Sequence, residues 1–389
     1  MDQCLSPSEL QVPKTALEPS PRALVLDRRP VIGTEICRSM ARRGFAVDLF
    51  GERGSPAFHS RYCARRFFAP PLAASTEFRH ALCEVVCQAR YDAIFVCNEE
   101  ILDELLSFPD CGLLPGLPLS SPGSLRLTLS KAAMTKIASD AGVSVPRTVV
   151  PDGPDELDAI IKDLGLPVVV KGDRGESGER VRIAHSAGQA IAAFQEISAL
   201  ERAYGCRPSI QEHVSGVAYS VGGLFHHGNP LRVCAHRKLL TIPPQGGLTV
   251  SGVTDDCPLL LEQAFKIFAA IGYTGLGHVE FIRDSDGQFN FIELNPRVWG
   301  TLGVGEYAGV DFFTPYIELA RGDQPQPDLS FQPGVRFHRI GREGKMIFAK
   351  PSRLFGFVRD CLDPRVYSDF RWSDPMPHLV SLATHGLGL

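Results

Sequence analysis

Over residues 22–120 short apolar runs alternate with stretches of helical spacing. Arg22–Asp27 (RALVLD), Phe45–Phe50 and Arg65–Phe68 read as strands. Asp92–Cys97 (DAIFVC) reads as a buried strand that runs into Asn98-Glu99-Glu100, and Ile32–Arg43 and Glu77–Ala89 carry the three-and-four spacing of amphipathic helices. Strands that alternate with helices predict a parallel sheet with ligand groups at the strand C-termini. The first turn, Asp27-Arg28-Arg29-Pro30-Val31-Ile32-Gly33, is not G-x-G-x-x-G, so no dinucleotide site is inferred.

The pattern beyond residue 120 describes a second kind of unit. Ser124–Gly142 reads as one helix with Ser130 and Lys131 near its middle, and Val143–Thr148 leads out of it. A helix at Asp155–Leu164 precedes the strand Leu166–Lys171 (LPVVVK); a glycine-rich link, Gly172–Gly178, joins it to a partner strand, Val181–His185. Helix Ala187–Leu200 and strands Ser209–His213 and Tyr219–His226 follow. Then come helix Leu259–Ile271, strand Gly277–Arg283, a turn at Asp284-Ser285-Asp286-Gly287, and strand Gln288–Asn295; the Asp-Gly pair marks a hairpin. No internal repeat is visible, and no element is assigned from about Gly334 onward.

Candidate chemistry concentrates in that hairpin, whose strands read HVEFIRD and FNFIELNPR. If Arg283 pairs with Gln288, Glu280 lies opposite Phe291, with Glu293 diagonal to it and Asn295 on the same face. Two carboxylates and an amide oxygen on one surface suit a hard divalent cation bridging phosphates rather than zinc. Solvated glutamates on an edge hairpin are the plainer reading, but Phe289 and Phe291 argue for a covered surface. Arg297 follows directly, with a fork suited to phosphate or acyl-phosphate oxygens. Lys171 ends an otherwise apolar strand and needs an anionic partner or an opening to water. The GDRGESG loop after it has the composition of a phosphate lid but is not a P-loop; a plain hairpin turn is the alternative.

Length and charge then narrow the classes. The chain has 389 residues, with 44% hydrophobic and 22% charged, and implies two or three globular domains. A formal net charge of −4 gives no electrostatic case for nucleic acid or an anionic membrane, and no apolar run approaches the ~20 residues of a membrane helix. Residues 1–20 read as a disordered lead-in without signal-peptide order. The eleven cysteines are scattered; Cys83 and Cys87 share a helical face, but no zinc-spaced partners follow. Reduced cysteines in a cytoplasmic protein are expected.

Together these residues resemble the ATP-grasp superfamily. Its order of helix lysine, strand lysine, glycine-rich lid, Gln/Glu hinge and Glu…Glu-x-Asn-x-Arg is matched by Lys131, Lys171, Gly172–Gly178, Gln211-Glu212-His213-Val214, Glu280 and Glu293-Leu294-Asn295-Pro296-Arg297. The resemblance spans about Leu127 to Asp323 and implies a mixed α/β and α+β architecture, the ATP-grasp fold. A parallel α/β domain would occupy residues 21–123, a lid subdomain with its linker helix 124–215, an antiparallel catalytic subdomain 216–330, and a C-terminal extension 331–389. Carried over by position, Lys131 and Lys171 would contact ATP phosphates under a lid that includes Gly175 and Ser177. Gln211, Glu212 and the backbone of Val214 would line the adenine slot. Glu280, Glu293 and Asn295 would hold Mg²⁺ or Mn²⁺. Arg237 or Lys238 would steady the transferred phosphoryl group, and Arg297 the acyl phosphate.

The HRKLLTIPPQGG stretch resembles the substrate loop of carboxylate–amine ligases, with Gly246, Gly247 and Thr249 giving close backbone approach. Glu99, beside Asn98 and Glu100, is a candidate for the acceptor substrate or for a helix cap. Ala218 stands where many members carry a ribose-binding glutamate. The implied function is an ATP-dependent ligase that joins a small-molecule carboxylate and an amine, an amino acid or small peptide first. A bicarbonate-using carboxylase, with a more glycine-dense lid and a biotinyl-lysine domain, and a catalytically silent nucleotide-binding protein are the alternatives. Residues 334–389 are candidates for covering the active site or for a homodimer contact.

Overall fold

The chain folds into two units: residues 1–117 with 317–324 and 372–388, and residues 118–316 with 325–371. The computed structural model describes residues 20–28, 32–108, 114, 116–175, 178, 180–242, 247–349 and 351–384; the side chains of Lys345, Phe348, Ala349 and Thr384 are not described. Residues 1–19 of the lead-in, and Ser177 and Gly246 of the site, lie outside the described residues.

In the first unit, strands β1 (Arg22–Leu26), β2 (Ala46–Gly51), β3 (Cys63–Phe68) and β4 (Ala93–Val96) form a parallel sheet in the order β3-β2-β1-β4. β1 and β4 are continuous apolar runs because a parallel sheet buries both faces; β4 is buried throughout. Helix α1 (Ile32–Arg42) crosses from β1 to β2 and α2 (Ser75–Gln88) from β3 to β4, and α3 (Glu99–Leu106) follows β4. Asp27, at the end of β1, accepts from the Gly33 amide at 2.9 Å. A Cβ at Gly33 would meet that carboxylate oxygen at 2.4 Å, so the turn into α1 needs glycine. The segment after Trp372 belongs to this unit. Asp374 is 1% exposed and accepts from Arg38 Nε (2.9 Å), Ser60 Oγ (2.8 Å) and the Arg61 amide (2.9 Å). It anchors the chain just before the last helix, Met376–Thr384.

The second unit contains two sheets. Helices α4 (Pro122–Thr128) and α5 (Lys131–Asp140) replace the single helix expected over Ser124–Gly142. The break has a local cause: Ser130 adopts an extended conformation and its hydroxyl accepts from the Ala133 amide, an N-cap that places Lys131 in the first turn of α5. The smaller sheet joins β5 (Thr148–Val149), β6 (Val168–Lys171), β7 (Val181–Ala184) and β8 (Ser209–Glu212) in the antiparallel order β5-β8-β6-β7. Val168, Val170 and Ile210 enter a core with Leu157 and Ile161 of α6 (Leu157–Leu164) and Phe194 and Ile197 of α7 (Ala187–Glu201). Strand alternation therefore turns Val169 and Lys171 to the opposite face.

The larger sheet comprises β9 (Val217–His226), β10 (Asn229–Ile242), β11 (Leu248–Thr254), β12 (Gly275–Arg283), β13 (Phe289–Asn295), β14 (Arg336–His338) and β15 (Tyr367–Ser368), in the order β13-β12-β9-β10-β11-β14-β15. The segment beyond Gly334 thus supplies two strands, where the sequence assigns none. Helix α8 (Pro258–Ala270) packs on this sheet through Phe268, whose ring stacks on Phe225 with centroids 3.7 Å apart.

Candidate active site

The hairpin register differs from the one read from the sequence. Arg283 pairs with Phe289, Ile282 with Asn290 and Phe281 with Phe291, but Glu280 pairs with Glu293. Ile292 is the extra residue of a β-bulge. The pairing begins one residue later than expected, at Arg283–Phe289, and the bulge adds one more, which together carry Glu293 from a diagonal position to one directly across from Glu280. Like charges so placed destabilise a sheet by roughly 0.2–1 kcal/mol per pair. Lys238 offsets part of that cost: its ammonium, 2% exposed, lies 2.6 Å from Glu280 Oε2. Asn295 donates weakly to Glu293 at 3.5 Å, and its Oδ1 accepts from Arg297 Nη2 at 2.9 Å. Glu280, Glu293, Asn295, Arg297 and Lys238 are therefore brought together on one side of the sheet. Arg237 is not among them. It pairs with Tyr219 and Val253, so alternation sends it to the opposite face from Lys238.

Lys171 reaches the same region from the smaller sheet. It is 8% exposed, and burial pulls its pKa down from 10.5 to about 8, while Glu293 and, less strongly, Glu280 act to raise it and Lys131 to lower it. A cavity of about 590 Å³ separates the faces of the two sheets. Val169, Lys171 and Ile183 line it from one sheet, and Lys238, Ile282 and the bulged Ile292 from the other. The strand end Gln211–Val214 closes one edge, and Ala218 lies in the wall. Gln211 donates to Thr148 Oγ1 at 2.7 Å, and Glu212 accepts from Arg147 at 2.8 Å, which ties both side chains to neighbouring segments and leaves the backbone at Val214 on the cavity edge.

Lys131 donates to the Gly175 carbonyl at 2.6 Å, joining α5 to the lid. Two further residues organise that loop and escaped the sequence reading. Asp173 accepts from Ser130 Oγ and the Ala132 amide, both at 2.9 Å, a carboxylate at a helix N-terminus. Glu201, 0% exposed, accepts from the Asp173 amide (3.1 Å), the Arg174 amide (3.3 Å) and Arg180 Nη1 (2.7 Å). A glutamate in the last turn of α7 opposes the helix dipole, and that mismatch was the available signal. His236 and His278 also went unremarked. Burial above all, helped by the charge of Lys238, pushes both well below the ordinary histidine range and keeps them neutral. The His278 ring stacks on Trp299 at 5.9 Å.

Of the other expected residues, Thr249 is buried on β11 opposite Thr241, and its carbonyl accepts from Arg342 at 3.4 Å. Gly247 precedes that strand, at the edge of the described residues. Glu99 opens α3 in the first unit. Neighbouring Asn98 sits at the N-cap position but makes no side-chain cap; it accepts instead from the Arg28 amide at 2.8 Å, and Arg28 pairs with Glu52 and Glu100.

Comparison with known proteins bears on this arrangement. The family model described as "Carbamoyl-phosphate synthase L chain, ATP binding domain" matches residues 231–326. The solved N5-carboxyaminoimidazole synthetase of Staphylococcus aureus, complexed with ADP, superposes with a TM-score of 0.63 at 14% identity, covering 89% of this chain and 88% of that one. The chain has the ATP-grasp fold. Another ATP-grasp fold like it is the L-amino acid ligase of Bacillus licheniformis (TM-score 0.59, 16% identity, 79% and 75% covered). In sequence the chain is similar to the chloroplastic biotin carboxylase of Arabidopsis thaliana, 28% identical over 281 residues that cover 64% of this chain and 50% of the relative. The chain spans about half the length of the first curated relatives it matches. Among the described residues no helix is long and apolar enough to cross a membrane.

Proposed function

We propose that this ATP-grasp chain is an ATP-dependent ligase that activates a carboxylate as an acyl phosphate and couples it to an amine, releasing ADP and phosphate. The observation that carries this reading is the approach of Lys171 to the Glu280–Glu293 pair beside a cavity lined by Lys171 and by Lys238, the ion-pair partner of Glu280. A free carboxylate does not react with an amine at neutral pH, because its leaving group would be oxide. A carboxylate oxygen attacks the γ-phosphorus and ADP departs. The amine nitrogen then attacks the acyl carbon, and phosphate leaves with that oxygen as the amine loses a proton.

This chain's residues position and neutralise, as phosphoryl transfer demands. The apolar walls, Val169 and Ile183 against Ile282 and Ile292, admit a flat base, and the Val214 backbone meets its edge. Lys131 and Lys171 hold phosphate oxygens, and the lid, with Gly175 placed by Lys131, keeps water from the acyl phosphate. Arg297 and Lys238 steady the phosphoryl oxygens and the acyl phosphate. Glu280, Glu293 and Asn295 are hard oxygen donors, and the opposed carboxylates carry more negative charge than Lys238 offsets, so this set fits Mg²⁺ or Mn²⁺. When bound, such an ion neutralises phosphate charge.

The amine-coupling chemistry leads to an amino acid or small peptide as the first substrate class. A second reading replaces that carboxylate with bicarbonate, and the sequence similarity to biotin carboxylase favours it. The test is ATP-dependent coupling of pooled amino acids, read by mass spectrometry beside a parallel reaction with labelled bicarbonate and free biotin as the acceptor. New masses matching two residues joined with loss of water support the ligase. Label fixed only from bicarbonate supports the carboxylase, and bound ATP with no ADP from either pool refutes both.

A further inference from the structure

One charge on the cavity wall has no role in the scheme above. Arg353 ends the short turn Pro351–Arg353, stands at the N-cap of the helix Leu354–Leu362, and lines the cavity with Leu239, Leu240 and Thr241 of β10. It is half-buried, and among the described residues its guanidinium makes no hydrogen bond or ion pair. A donor-only fork of five N–H groups, partly removed from water and unpaired, suits an oxygen-rich ligand.

The position narrows which part of the ligand it meets. The apolar walls and the edge at Val214 account for the base. Lys171, Lys238 and the opposed carboxylates account for the phosphates. What remains of a nucleoside triphosphate is the sugar, and Ala218, which also lines the cavity, offers no polar atom from its side chain. We propose that Arg353 is a nucleotide-binding residue, contributed by the C-terminal segment, that donates hydrogen bonds to the ribose hydroxyl oxygens. A hydroxyl accepts as readily as it donates, so a cation can hold a sugar that lacks a carboxylate partner. The inference rests on the nucleotide reading of the cavity.

Calorimetric titration of the full chain with the magnesium complexes of ATP and 2′,3′-dideoxy-ATP tests it, using wild type, Arg353→Ala and Arg353→Lys, each checked for an unchanged thermal midpoint. Wild type is expected to bind ATP about tenfold more tightly than the dideoxy analogue, the scale of a charge-assisted hydrogen bond. Arg353→Ala loses about that factor on ATP and nothing on the analogue, so the preference vanishes, and Arg353→Lys keeps part of it. ATP affinity unchanged in Arg353→Ala overturns the inference. So does an equal loss on both nucleotides, which places the arginine on phosphate. Wild type that binds neither nucleotide overturns the cavity assignment itself, a separate result.

Discussion

The buried lysine of the smaller sheet makes nucleotide binding pH-dependent in a direction that can be worked out. Lys171 feels the charges of Glu293, of Lys131 on α5 and of Glu280, and burial outweighs the carboxylates to leave its pKa at about 8 rather than 10.5. That fall corresponds to roughly 3 kcal/mol against the charged form. Below pH 8 the residue is charged in both the folded and unfolded chain, and the penalty is fully present. Between about pH 8 and 10.5 the unfolded chain binds more protons, so stability of the empty protein rises with pH. Phosphate oxygens beside the ammonium restore its proton. Binding in that window therefore takes up a proton, and affinity falls about tenfold per pH unit above 8. Phosphate groups finish titrating well below this range. Calorimetry at pH 9 in buffers of different ionisation enthalpy should report uptake approaching one proton per MgATP, and almost none at pH 7. Lys171→Gln should bind more weakly at pH 7 and show no uptake at either pH. Uptake persisting in Lys171→Gln, or affinity flat from pH 8 to 10 in wild type, would refute the reasoning.

Two further outcomes follow from named contacts. Glu293→Gln should abolish ADP release while the thermal midpoint holds or rises, since it removes one of two opposed carboxylates worth roughly 0.2–1 kcal/mol of repulsion; retained turnover would remove Glu293 from the metal assignment. Asp374→Ala should destabilise the first unit by about 2–4 kcal/mol, because buried Arg38 keeps Glu35 but loses its second carboxylate, and Ser60 Oγ and the Arg61 amide lose their acceptor; denaturant unfolding measures it, and a loss under about 1 kcal/mol would contradict the anchor.

Much of this architecture was legible in the chain. Parallel β1 and β4 announced themselves as apolar runs, and Lys171 stood out because a charge ends a valine strand. The two glutamates and Asn295 could be placed on one hairpin, but their register could not, because the bulge at Ile292 arises where β12 also pairs with β9. The break at Ser130 depends on Asp173, forty-three residues away, which accepts from its hydroxyl and from the Ala132 amide. Glu201 shows in the sequence only as a glutamate at the unfavourable end of a helix, and its role appears once its lid partners are in place. Arg237 and Lys238 were equal candidates by type, and only strand pairing separates their faces. The strands β14 and β15 are too short for periodicity, and Asp374 acquires meaning through Arg38, which lies 336 residues earlier.

The most direct measurement follows oxygen. The protein is supplied with MgATP and a pool of amino acids carrying oxygen-18 in their carboxylates, and the released phosphate is weighed by mass spectrometry, with oxygen-18 bicarbonate in parallel. Transfer of the γ-phosphoryl group to an amino-acid carboxylate puts one heavy oxygen in each phosphate. Label from bicarbonate alone selects the carboxylase reading. Light phosphate from both pools, released along with ADP, would mean that water and not a carboxylate receives the phosphoryl group.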